Sequence, residues 1–167
     1  MVSGASLDSA YLKVTGTGIV AAGGECQAQA GSSAGKVVSV STLYGATGTV
    51  PGNSGVYVFV GPTTLVYTTA AQIITASAVV PLGISASTQT LRLGMCYRPF
   101  GGGTLTNFAG GAYSQVELQP GAVIPYGVAG AAAPGAGSWD VGPCALTLEP
   151  TTINRTDVVN GWVMVTQ

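Results

Sequence analysis

No charged residue lies between Lys36 and Arg92. That stretch, about a third of the chain, is dense in Val, Thr, Ile and Tyr and is cut at short intervals by Gly and Pro. Helical periodicity is nearly absent, so the pattern is that of many short strands separated by turns. Lys36–Tyr44 alternates Val38 and Val40 against Val37 and Ser39. The cluster Pro51-Gly52-Asn53-Ser54-Gly55 is a loop that launches a strand over Val56–Val60. Gly61-Pro62 breaks it, and Thr63–Thr69 gives the next. Ala70–Val80 has two readings: Gln72-Ile73-Ile74 can open a short helix, whereas its β-branched content favours a strand.

Outside that stretch the same grammar holds. Ala10–Val20 alternates weakly as a first strand. Thr90–Arg98 is the clearest strand, with Leu91, Leu93, Met95 and Tyr97 alternating with Arg92, Gly94, Cys96 and Arg98. Pro99–Gly103 is a loop, Leu105–Phe108 a short element, and Gly111–Gln119 and Ala122–Val128 two further strands. Gly130–Gly137 reads as a connection, after which Ser138–Leu148 and Val158–Thr166 close the chain. The expectation is an all-β, roughly ten-strand antiparallel jelly-roll sandwich, with 1–167 as a single β-sandwich domain. No fixed-period repeat points to a propeller or solenoid.

Composition narrows the function. Only 7% of residues are charged, against about 25% in an average domain, while 47% are hydrophobic. Such a chain is too apolar to be disordered. Mean hydropathy is high for a soluble monomer, and an oligomer interface is the favoured place for the excess. Net charge is −1, which provides no basic field for nucleic acid. The least polar run, Gly121–Gly137, is interrupted by Pro125 and Pro134, so membrane insertion is not expected. Met1-Val2-Ser3-Gly4 lacks the basic start and apolar region of a signal peptide, and reads as an artificially cut start or as the downstream end of a longer chain. Three Cys, at 26, 96 and 144, cannot all pair within one chain. Cys96 reads as a small buried hydrophobe, and Cys26 and Cys144 are candidates for a bridge.

The chain has no His. That removes the commonest general base, the usual Ser and Cys nucleophile arrangements and most zinc sites. Neither catalytic residues nor a metal or other cofactor are expected. The carboxylates Glu117 and Glu149 could meet across a sheet, as a glycoside hydrolase requires, but nothing in their flanks suggests it. Gly101-Gly102-Gly103 is not followed by Lys-Ser or Lys-Thr and reads as a hairpin turn, not a phosphate loop. Asn154-Arg155-Thr156 is a formal glycosylation sequon.

The C-terminal third carries the most specific pattern. Val141-Gly142-Pro143-Cys144-Ala145-Leu146-Thr147-Leu148-Glu149-Pro150 is followed by a polar turn and then by Asn160-Gly161-Trp162-Val163-Met164-Val165. This resembles the last two strands of the tumour necrosis factor and complement-q globular-head superfamily, and Thr90–Arg98 is similar to that family's central core strand. Leu93-Gly94-Met95-Cys96 and the Gly161–Val165 ending are similar to bacterial and phage fibre-tip domains of this type. The resemblance runs from about Thr90 onward. It implies a jelly roll assembling as a homotrimer, extracellular, at the cell surface or on a virion. It also implies an adhesin or fibre-tip role, binding cell-surface glycan or protein at the end of a stalk. The family's calcium-binding carboxylates are not recoverable here. A structural coat, capsid-decoration or spore-surface subunit would share the fold.

If the domain binds a ligand, aromatics and Arg in loops are the tools. Tyr97, Arg98, Phe100, Asn107 and Phe108 cluster around one loop, Trp139 and Asp140 flank another, and Arg155 lies in the last turn. Core packing competes for Phe100 and Phe108, and Trp139 is open between core and surface. Trp162, which opens the final strand, reads as core. Arg92 reads as an interface charge needing a partner such as Glu117 or a carbonyl.

Overall fold

The computed structural model describes residues 19–22, 25–28, 35–52, 54–108, 113–147, 149 and 152–167. Contacts divide the chain into two compact units, Met1–Lys36 and Val37–Gln167. In the first, β1 (Ile19–Ala22) and β2 (Glu25–Ala28) form an antiparallel hairpin. Most of the strand expected over Ala10–Val20 lies outside the described residues.

The second unit is the sandwich. Its strands are β3 (Val37–Ala46), β4 (Val58–Phe59), β5 (Thr64–Thr68), β6 (Ile73–Gly83), β7 (Gln89–Pro99) and β8 (Thr106–Asn107). They continue with β9 (Ser114–Leu118), β10 (Val123–Ala132), β11 (Gly137–Thr147), β12 (Arg155–Thr156) and β13 (Val158–Thr166). Sheet I has the order β10-β6-β13-β3, with β12 also on β6. Sheet II has the order β4-β11-β7-β8, with β5 also on β11 and β9 on β7. Every strand pair is antiparallel, and no helix occurs among the described residues.

Alternation decides which residues meet between the sheets. Along β6, Ile74, Ala76, Ala78, Val80 and Leu82 are buried while the residues between them face outward. Leu43 of β3 and Val159, Val163 and Val165 of β13 extend that inner face. Sheet II answers with Leu91, Leu93 and Met95 of β7, Val141 and Ala145 of β11 and Leu118 of β9. Each fully buried aliphatic side chain contributes about 1.5–3 kcal/mol over its exposed state, and these residues form one continuous core.

One local expectation is revised and two hold. The helical option at Gln72–Ile74 gives way to strand, because β6 pairs on both edges, with β10 and with β13. The connection expected over Gly130–Gly137 is shorter. Gly130, Ala131 and Ala132 remain in β10, paired with Ala76, Thr75 and Ile74. Their small side chains fit the sheet without producing a hydrophobic alternation visible in the sequence. Gly101, Gly102 and Gly103 form the expected turn, all at positive φ.

Candidate functional site

Two surfaces stand out, one on the outer face of each sheet. The first follows from the missing charges. Strands β3, β6, β10 and β13 contain no Lys, Arg, Asp or Glu. Strand register sets their outward side chains in rows. One row runs Gly127, Val79, Asn160, Tyr44; the next Ala129, Ser77, Trp162, Thr42; the next Ala131, Thr75, Met164, Val40. Tyr44 is 71% exposed, Val40 63%, Val79 45% and Trp162 40%. Tyr44, Val79 and Trp162 line a shallow groove of about 720 Å³ with Asn160 between them.

Trp162 is therefore not a core residue, contrary to expectation. On β13 the inward parity belongs to Val159, Gly161, Val163 and Val165, which sends Trp162 and Met164 outward. Gly161 is needed for the close approach of β13 to β6: a Cβ there would sit 2.4 Å from the Ser77 carbonyl oxygen and 2.7 Å from Ala78 Cβ.

The second surface is the outer face of sheet II around β4, β7 and β11. Asp140 lies opposite Arg98 in register, and Arg98 Nε donates to Asp140 Oδ2 at 3.2 Å. This is the sole ion pair among the described residues. The guanidinium carbon sits 5.2 Å above the centroid of the Phe59 ring, a cation–π contact that holds the fork in place. Farther along the same face Tyr113 lies on Gly94, where a Cβ would meet the ring at 2.3 Å. Tyr57 stacks on Tyr113 with centroids 3.9 Å apart and planes at 21°. Burial, and secondarily the neighbouring Tyr57, pushes the Tyr113 hydroxyl well above the usual tyrosine range.

Beneath this stack lies a disulfide between Cys96 and Cys144, Cα–Cα 5.7 Å. Tyr113 Oη is 3.2 Å from Cys96 Sγ. Register explains the pairing: Cys96 opposes Gly142 and Cys144 opposes Gly94, so the cysteines are diagonal neighbours on one face of β7 and β11. A bridge from Cys144 to Cys26 is thereby excluded, and Cys96 is a bonded half-cystine instead of a lone hydrophobe.

The eight residues read from the sequence as ligand contacts do not form one site. Tyr97 packs edge-on against Phe108 at 5.8 Å and against Trp139 at 5.5 Å, on the core side of sheet II. Trp139 Nε1 donates to Thr68 Oγ1 at 2.9 Å, which satisfies the indole N–H. Asn107 is buried opposite Cys96. Phe100 is 62% exposed on the β7 turn. Arg155 is on the other sheet, opposite Gly83, and donates to the Gly121 carbonyl at 2.9 Å. Arg98 and Asp140 alone meet on an accessible face.

The remaining charged candidates are dispersed. Arg92 is exposed, next to Gln115 in register. Glu149 accepts from the Thr90 backbone N–H at 3.3 Å, in a recess with Arg92 and Gln115 that contains no second carboxylate among its lining residues. Glu117 accepts from Gln119 Nε2. Among the described residues there is no group of three or more potential metal ligands. Comparison with protein-family models, with curated proteins and with solved structures finds no match.

Proposed function

We propose that this chain is the subunit of an extracellular or virion-associated homotrimer of the fibre-tip or adhesin kind. The outer face of sheet I holds the subunits together, and other faces meet a cell-surface glycan or protein. The observation that carries the reading is the charge-free outer face shared by β3, β6, β10 and β13 of sheet I; Arg155 of β12 lies at its margin, opposite Gly83. From strand spacing and rise, four strands over about nine residues span on the order of 500 Å² in projection. Side-chain relief adds to this, bringing it toward the roughly 800 Å² per partner of a standard interface. Aromatic and aliphatic groups with depleted charge are also the composition of interface centres. Threefold closure, as against a face-to-face pair, follows from the resemblance of the Gly161–Val165 ending. The Cys96–Cys144 bridge supports an oxidising compartment.

Light scattering on the eluting protein at micromolar concentration tests the assembly. The expected mass is three times 16.5 kDa, and a clean monomer would sink the reading. A coat or decoration subunit is the second reading, since the same face would serve it equally. It separates from the first in a whole-cell pull-down, where only an adhesin retains cells.

A further inference from the structure

We infer that the groove on the outer face of sheet II, lined by Tyr57, Phe59 and an Arg98 held in place by Asp140, is a binding site for a neutral pyranoside carrying vicinal hydroxyls. The groove holds about 740 Å³ and is lined by Tyr57, Phe59, Arg98, Gly103 and Leu105 among others. That volume lies within the range of roughly 300–1,000 Å³ common to small-ligand sites. Three features define the ligand chemistry.

The first is a rigid aromatic surface. Tyr57 is clamped on Tyr113, which itself rests on Gly94, so the ring edging the groove loses little freedom on binding. A flat ring of this kind accepts the apolar C–H face of a sugar. The second is a donor fork fixed from behind by Asp140. The contact to Asp140 engages Nε of Arg98, and the side chain remains 36% exposed. The two terminal amino groups have no hydrogen-bond acceptor among the described residues. A guanidinium edge with two terminal amino groups suits adjacent hydroxyls, whose oxygens accept from it side by side. The third is charge. Arg98 is the one charged residue among those lining the groove, and Asp140 behind it cancels its charge. An anionic sugar would have to compete with Asp140 for the guanidinium, whereas a neutral one accepts from its terminal amino groups and leaves the ion pair in place.

This inference deepens the binding half of the proposed function and rests on it, but not on the assembly half. Oligomer mass and sugar binding are read separately, so each can fail alone. The probe is a panel of lactose, maltotriose, cellotriose, chitotriose and mannotriose, with 3′-sialyllactose as the acidic comparison. Saturation-transfer NMR and titration calorimetry follow binding to the full chain.

At least one neutral sugar is expected to bind, at least tenfold more weakly to Tyr57→Ala and to Asp140→Asn, and unchanged to Phe100→Ala. Asp140→Asn keeps the side-chain shape and guards against a folding artefact in Tyr57→Ala. Melting temperature and near-ultraviolet circular dichroism check each variant. Binding to none of the neutral sugars, binding to sialyllactose alone, or binding that survives both groove substitutions would each overturn the inference.

Discussion

Replacing both Cys96 and Cys144 with Ala removes a cross-link that spans 48 positions of sequence. In the chain-entropy description, closing a loop of that size lowers the entropy of the unfolded chain by roughly 14 cal/mol/K, or about 4 kcal/mol at 25 °C. The native side of the balance changes little, because the two cysteines sit on neighbouring strands already joined by nine register pairs. The double variant should therefore unfold about 4 kcal/mol more easily. With a urea dependence of about 2 kcal/mol/M, the midpoint falls by about 2 M. The slope should rise, since the uncross-linked chain exposes more surface when unfolded. The assay is equilibrium urea unfolding followed by tryptophan fluorescence, with thiol alkylation and mass spectrometry in parallel. Unreduced, denatured wild type should take up one alkyl group and reduced protein three, because the chain has three Cys. A loss below about 1 kcal/mol, or alkylation of Cys96 and Cys144 without reductant, would refute the reasoning.

Three further outcomes follow from packing and titration. Gly161→Ala forces a Cβ against the Ser77 carbonyl, so denaturation should show a loss of about 1–3 kcal/mol, the cost of overpacking. Gln89 is 1% exposed, and its amide oxygen and nitrogen have no hydrogen-bond partner among the described residues. Gln89→Met should therefore raise stability by about 1–3 kcal/mol, read as a higher melting temperature. The Tyr113 hydroxyl is held above its ordinary value by burial and then by Tyr57. A raised folded value means that its contribution is complete below about pH 10, the unfolded tyrosine value, and is lost as pH rises above it. Stability should fall above that pH less steeply in Tyr113→Phe, and tyrosinate absorbance of the wild type should show one hydroxyl ionising after the rest.

The strand pattern was legible where one phase of the alternation is apolar and the other is not. Leu91, Leu93, Met95 and Tyr97 of β7 took the inner face as the sequence implied, and Val158–Thr166 is a strand with the same limits. Legibility failed on β13, where both phases are apolar: Trp162 and Met164 are as hydrophobic as Val163 and Val165. Only packing against sheet II decides which phase is covered. The cysteine bridge was illegible for a related reason, since it depends on the register of β7 with β11, and a shift of one residue would move one cysteine to the other face. The ligand candidates divided by the same parity. Tyr97 and Trp139 face the core, while the adjacent Arg98 and Asp140 face out. Tyr57, Phe59 and Tyr113 were not singled out, because their nearness to Arg98 or to Gly94 arises between strands far apart in sequence. The run without charge from 37 to 91 was visible from the start. That two of its strands, β3 and β6, join β10 and β13 in one uncharged face required the sheet order.

The central claim is that this face joins subunits, and Val79→Glu tests it most directly. Val79 lies on an inner strand of sheet I and is 45% exposed, so a Glu reaches water in a lone subunit and alters its stability by no more than about 0.5 kcal/mol. Within an interface the same carboxylate is buried without a partner, at about 3–5 kcal/mol, enough to weaken association by at least 100-fold. Sedimentation velocity at micromolar concentration should show wild type at three times 16.5 kDa and Val79→Glu as a folded monomer. A wild type that sediments as a monomer, or a variant that still sediments as the assembly, would contradict the account.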